Sequence, residues 1–192
     1  MTGASGAPYF RGLVDALLRR GARVHAIVSP SGGRILEQEL GLRWDPSRPD
    51  LATLFPDAGP DRLRLHRHDD VAAPPSGGLY PTDAMVVCPC SAGRIGSFAA
   101  GLSQDLIDRA AAVTLKERRT LVVVPRETPL SLPTLRAMTA LAEAGACILP
   151  AMPAHYTHPK TVEDMERFVV TKIVRQIGLP CAGGEASWGE GG

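Results

Sequence analysis

Short apolar runs alternate with amphipathic stretches along most of the chain. Runs at 23–29, 63–66, 84–88, 121–124 and 146–149 are mostly rich in Val, Ile or Leu, the pattern of strands buried in a parallel sheet. Between them, 8–20, 33–40, 92–100, 106–118, 132–144 and 162–177 read as helices. In the first, Phe10, Leu13, Val14 and Leu17 share one face, and Gly21 ends it. In the last, Met165, Phe168, Val169 and Ile173 do the same, with Thr161 as N-cap and Asp164 three residues on. Such alternation predicts an α/β domain with a mainly parallel sheet. The Pro- and Asp-rich stretch 43–60 reads as an insertion or long connection. Residues 1–180 read as one domain, and the Gly-rich stretch 181–192 as a flexible tail.

At 192 residues the chain is long enough for a sizeable core. A net charge of +1 argues against a general nucleic-acid binder, which needs a basic face, but leaves room for a local cationic pocket. No run approaches the length of a membrane span, so no membrane association is expected. The start lacks the basic and continuous apolar regions of a secretory leader. Cys88 and Cys90 form C-P-C, without zinc-like spacing to a second pair. The expected setting is therefore the reducing cytoplasm, without structural disulfides or metal. Of the 21 basic residues only Lys116, Lys160 and Lys172 are lysines.

The candidate chemistry lies where strands give way to helices, the edge at which open α/β sheets bind ligands. The turn Gly3-Ala4-Ser5-Gly6-Ala7 has the small residues that let backbone approach an anion at a helix start, or simply a tight turn. Ser29 and Ser31 suit a phosphate or plain capping. Cys88 and Cys90 have no His beside them in sequence and read as small packing residues, whereas Ser91 is placed as an N-cap and ligand. Lys116 taken alone is a solvated helix end. Arg126 and Glu127, braced by Pro125 and Pro129, suit phosphate binding and proton transfer, or a structural salt bridge. His155 and His158 lack a third metal ligand.

Taken in order, G-A-S-G-A-P-Y, C-P-C-S, L-K-E-R-R, R-E-T-P-L and P-A-H-Y resemble the UbiX/Pad flavin prenyltransferases across nearly the whole chain. The resemblance implies a flavodoxin-like Rossmann three-layer sandwich. It implies transfer of a dimethylallyl group from dimethylallyl phosphate to N5 and C6 of reduced FMN, without a metal. The prenylated FMN would serve a UbiD-type decarboxylase, and the enzyme would be a homo-oligomer, commonly a dodecamer with flavin between subunits. Gly3, Ala4, Ser5, Ser29, Ser91, Ala92, Gly93, Arg94 and Arg109 match the flavin contacts. Lys116, Arg126, Tyr156 and Lys172 match the prenyl-phosphate pocket, Glu127 the proton donor, and Glu39 a further pocket acid. Trp188 is placed to close the cage around the allyl group.

Two alternatives stand beside this reading. An FMN-dependent oxidative decarboxylase of the cysteine decarboxylase type is disfavoured, because P-A-S-A-N-T is replaced by Pro89-Cys90-Ser91-Ala92-Gly93-Arg94 and the first helix has no His. A non-catalytic flavin-binding regulatory subunit has no use for a second phosphate pocket. The family also implies an apolar strand before the G-A-S-G turn, in the middle of the sheet. Here Met1-Thr2 leads straight into the turn, so the first strand reads as missing and Met1 as an internal methionine of a longer chain.

Overall fold

The computed structural model of the chain describes residues 1–180. Its order is α1 (Ala7–Arg19), β1 (Val24–Ile27), α2 (Pro30–Leu40), β2 (Leu63–His66), β3 (Ala84–Cys90), α3 (Ala92–Ala99), α4 (Leu106–Lys116), β4 (Thr120–Pro125), α5 (Leu132–Glu143), β5 (Cys147–Ile148) and α6 (Val162–Gln176). Every expected strand and helix is present within a few residues. Residues 43–60 hold no helix or strand, but Leu51 and Phe55 are buried among Leu36, Leu42 and Val28. The Gly-rich stretch 181–192, with Trp188, lies outside the described residues.

All pairing is parallel, and helices cover both faces. β4 shows why its sequence is an unbroken apolar run. Leu121 and Val123 pack with Ile95, Ile107 and Leu141 of α3–α5, while Val122 and Val124 pack with Leu13, Val169 and Ile173 of α1 and α6. All four are fully buried. Thr161 caps α6 in a reciprocal capping box with Asp164. Gly21 closes α1 with φ 82°, a conformation costly for any side-chain-bearing residue. Among the described residues no helix is long and apolar enough to cross a membrane.

The sheet is divided. β1 and β2 form one block, and β3, β4 and β5 the other. Among the described residues, Met1 and Thr2 bridge them with backbone hydrogen bonds. The Met1 amino group donates to the Ile27 carbonyl at 2.8 Å. The Met1 carbonyl accepts from Ser29 N at 3.1 Å, and Thr2 N donates to the Pro89 carbonyl at 3.1 Å. The division falls where the family's first strand is expected.

Candidate functional site

Five loops meet at the C-terminal edge of the sheet. They follow Thr2, β1, β3, β4 and β5, and lead into α1, α2, α3, α5 and α6. The turn after Thr2 needs its glycines. Gly6 has φ 124°, and a side chain there would lie 2.9 Å from the Tyr9 ring. A side chain on Gly3 would collide with Ser31 at 2.6 Å.

Glu39 reaches from the end of α2 to the start of α1. Its carboxylate accepts from Gly6 N at 2.9 Å and Ala7 N at 2.7 Å. Burial opposes its charge, but the Ser5 hydroxyl, the two amides and Arg126 outweigh burial and hold its pKa below the ordinary glutamate value. Glu39 therefore fills the anion site of α1 from within the chain. Ser29 caps α2 by accepting from Gly32 N at 3.0 Å, which satisfies the plain capping reading. At α3 the arrangement differs. Ser91 is the N-cap but makes no side-chain cap bond, and the Cβ position of Gly93 opens on empty space. Its first-turn amides are the ones left for a ligand.

Arg126 follows β4 and donates from Nε to the Ser5 carbonyl at 2.9 Å. Next to it, exposed Glu127 lines a cavity of about 280 Å³ with Arg126, Pro125, Leu130, Ala151 and Met152. The loop after β5 is held alongside, with Ala151 N donating to the Pro125 carbonyl at 3.0 Å. Tyr156 and Lys172 meet through a residue that the sequence reading left in the core. Tyr156 stands edge-on to the Phe168 ring at 6.0 Å between centroids, and Lys172 Nζ lies 5.6 Å from the same ring. Half-buried Tyr9 lies close enough to Arg126 and Glu166 to feel their charges. Burial and then Glu166 raise its pKa.

Three expected contacts are placed differently within one chain. The Arg94 guanidinium is committed to the protein: it forms a bidentate pair with Asp105 at 2.9 Å and a 2.6 Å contact with Asp108. Asp108 is buried and also accepts from Ser97 and Gln104 N. Arg94 is thus a structural cation, with only its backbone free for a ligand. Lys116 ends α4, just before the start of β4, whereas Arg126 follows the end of β4. The six residues of β4 separate them by about 20 Å. Lys116 instead pairs with Glu117 at 2.9 Å beside Gly78. Arg109 is exposed on α4. Cys88 and Cys90 are buried, and burial pushes both thiols up to about 12, in keeping with a packing role.

A family model described as Flavoprotein matches residues 1–187. The chain belongs to the Flavoprotein family. Among its relatives, the flavin prenyltransferase UbiX of Halalkalibacterium halodurans is 41% identical over 93% of this chain and 86% of the relative. The flavin prenyltransferase UbiX of Pseudomonas aeruginosa is 41% identical over 94% and 88%. The fold also matches a crystal structure of AnUbiX (PadA1) in complex with FMN and dimethylallyl pyrophosphate, at TM-score 0.82 and 36% identity, covering 93% and 89% of the two chains. The dodecameric FMN-dependent UbiX-like decarboxylase of Escherichia coli O157:H7 matches at TM-score 0.80 and 37% identity, covering 93% and 96%. A PPC decarboxylase mutant, at 21% identity and TM-score 0.55, shares the fold alone with this flavoprotein.

Proposed function

We propose that the chain is a flavin prenyltransferase, transferring a dimethylallyl group from dimethylallyl phosphate to FMN. The observation that carries this reading is a cavity lined by Arg126 and Glu127 at the sheet edge that also holds the Ser5, Ser29 and Ser91 turns, with Tyr156 and Lys172 gathered on the Phe168 ring of the following loop and helix. An uncapped α3 start and the open space at Gly93 fit a polar ligand such as a flavin. Gly3, Ala4, Ser5, Ser29, Ser91, Ala92, Gly93 and Arg126 would hold it. Reduced FMN supplies the N5 and C6 edge that accepts the allyl group.

The residues of the chain do the rest. Lys172 and Arg126 offset the phosphate charge, and Tyr156 donates a hydrogen bond to it. Glu127 delivers a proton to the departing phosphate. Leu130, Ala151 and Met152 keep water from the allylic carbon. Glu39, ionised and bound to the α1 amides, holds the Ser5 turn rather than donating a proton. Lys116, at the far end of β4 from Arg126, joins such a site only from a neighbouring copy. This agrees with a homo-oligomer, for which the dodecameric relative is the pattern. The product would pass to a UbiD-type decarboxylase, and the buried, reduced cysteines suit a cytoplasmic setting.

The test is anaerobic incubation with reduced FMN and dimethylallyl phosphate in the presence of a chelator. The expected result is a flavin heavier by one C5H8 unit. Bound FMN with no gain, from either dimethylallyl phosphate or the pyrophosphate, overturns the reading.

A further inference from the structure

The loop after β3 is held by a residue outside every expected site. Thr2 is 1% exposed. Its Oγ1 accepts from Ser91 N at 2.8 Å and donates to the Pro89 carbonyl at 3.1 Å. Its own backbone N–H donates to that same carbonyl. The hydroxyl also lies 3.5 Å from Ser91 Oγ. The β3–β4 register is irregular between Val87 and Cys90 and pairing resumes at Cys90 with Pro125. At this irregular end one buried hydroxyl grips the residues on both sides of Cys90.

We propose that Thr2 is a positioning residue for the flavin site: its hydroxyl sets Ser91 and the α3 start against the turn at residues 3–6. Thr2 belongs to the backbone that enters that turn, so the two loops cannot shift independently while the grip holds. Valine has nearly the same shape but neither donates nor accepts. It would leave the Ser91 amide without its partner in a buried place. Serine keeps the hydroxyl and loses only a methyl group.

The inference rests on Ser91 being a flavin contact, and its test keeps the two ideas apart. The measurements are FMN dissociation constants and amide hydrogen exchange, neither of which needs prenyl transfer. Thr2→Val should weaken FMN about tenfold, the scale of one lost buried hydrogen bond, and Thr2→Ser should stay within about twofold of wild type. In the unaltered protein, the Ser91 amide should be protected from exchange with or without FMN. Free exchange of that amide, wild-type affinity in Thr2→Val or equal losses in both Thr2 variants would each overturn the proposal. If Thr2→Val does not fold, Thr2→Ser and the wild-type exchange rate decide. If the wild type binds no FMN, the prenyltransferase reading fails, while protection of Ser91 still reports on the grip.

Discussion

Arg126 and Ser5 are joined by a hydrogen bond that spans 121 positions of sequence, from guanidinium Nε to backbone carbonyl at 2.9 Å. The bond fixes the guanidinium plane and ties the loop after β4 to the first turn. It leaves the terminal nitrogens for a phosphate. Arg126→Lys should therefore behave as a severe change. The charge stays but the fork is lost, and both FMN retention and prenyl-phosphate use should fall by about tenfold or more. Equilibrium FMN titration and initial rates at varied prenyl phosphate check this.

Glu127 is exposed on the cavity wall and makes a local contact, its carboxylate accepting from Thr128 N at 3.2 Å. Glu127→Gln should leave folding and FMN binding intact while turnover falls by about 100-fold, the scale of a lost general acid. Single-turnover mass analysis of the flavin separates chemistry from product release.

Phe168 should prove a specificity residue although it carries no polar atom. Phe168→Leu removes the ring shared by Tyr156 and Lys172. The KM for prenyl phosphate should rise about two- to fivefold, as expected for an exposed cation–π contact, with FMN affinity unchanged. Phe168→Tyr should restore the wild-type KM.

Arg94 gives the opposite signature to a ligand residue. Arg94→Met leaves Asp108 buried without its cation, a loss of about 3–5 kcal/mol. Thermal denaturation should show it at once. Flavin affinity, measured below the lowered transition, should change little.

Stability should climb as pH rises from about 4 to 6.5. His66 is buried against His25, their ring nitrogens 2.7 Å apart, and Tyr80 Oη lies 3.0 Å from the far side of His25. Burial, then the charge of His25 and then Arg64 lower the His66 pKa to about 4. The unfolded chain therefore binds the extra proton between pH 6.5 and about 4, and stability falls as pH drops through that window. Melting temperatures across pH 4–8 check this, and His66→Gln should flatten the dependence.

The strands and helices were readable because period and capping are local properties. The run Leu121 to Val124 announces a strand buried on both faces, and Thr161 with Asp164 announces a helix start. Motif order also named Arg126 and Glu127, which share one cavity wall, and Tyr156 and Lys172, which share the Phe168 ring. What escaped depends on distance through space. Nothing near Arg94 reveals that Asp108 approaches it from the next helix. Lys116 sits in a family-like motif, but β4 carries the chain to the other end of the sheet before Arg126. Phe168 shows a core periodicity, which hides the half of its ring that serves Tyr156 and Lys172. Thr2 looks like a mere preface to a glycine turn until Pro89 and Ser91 are seen folded against it.

The divided sheet carries a consequence for cooperativity. The β1–β2 block meets the β3–β5 block through Met1 and Thr2 and through α1, whose Phe10 and Val14 pack with Ala26 and whose Leu13 and Ala16 pack with Val122, and amides of the smaller block should exchange ahead of those in β3 and β4. A ligand that touches Ser29 on one block and Ser91 or Arg126 on the other acts as a clamp. Occupancy stabilises only the joined state and merges the two openings into one. Flavin loading should then be visible as a sharper melting transition, before any chemistry takes place.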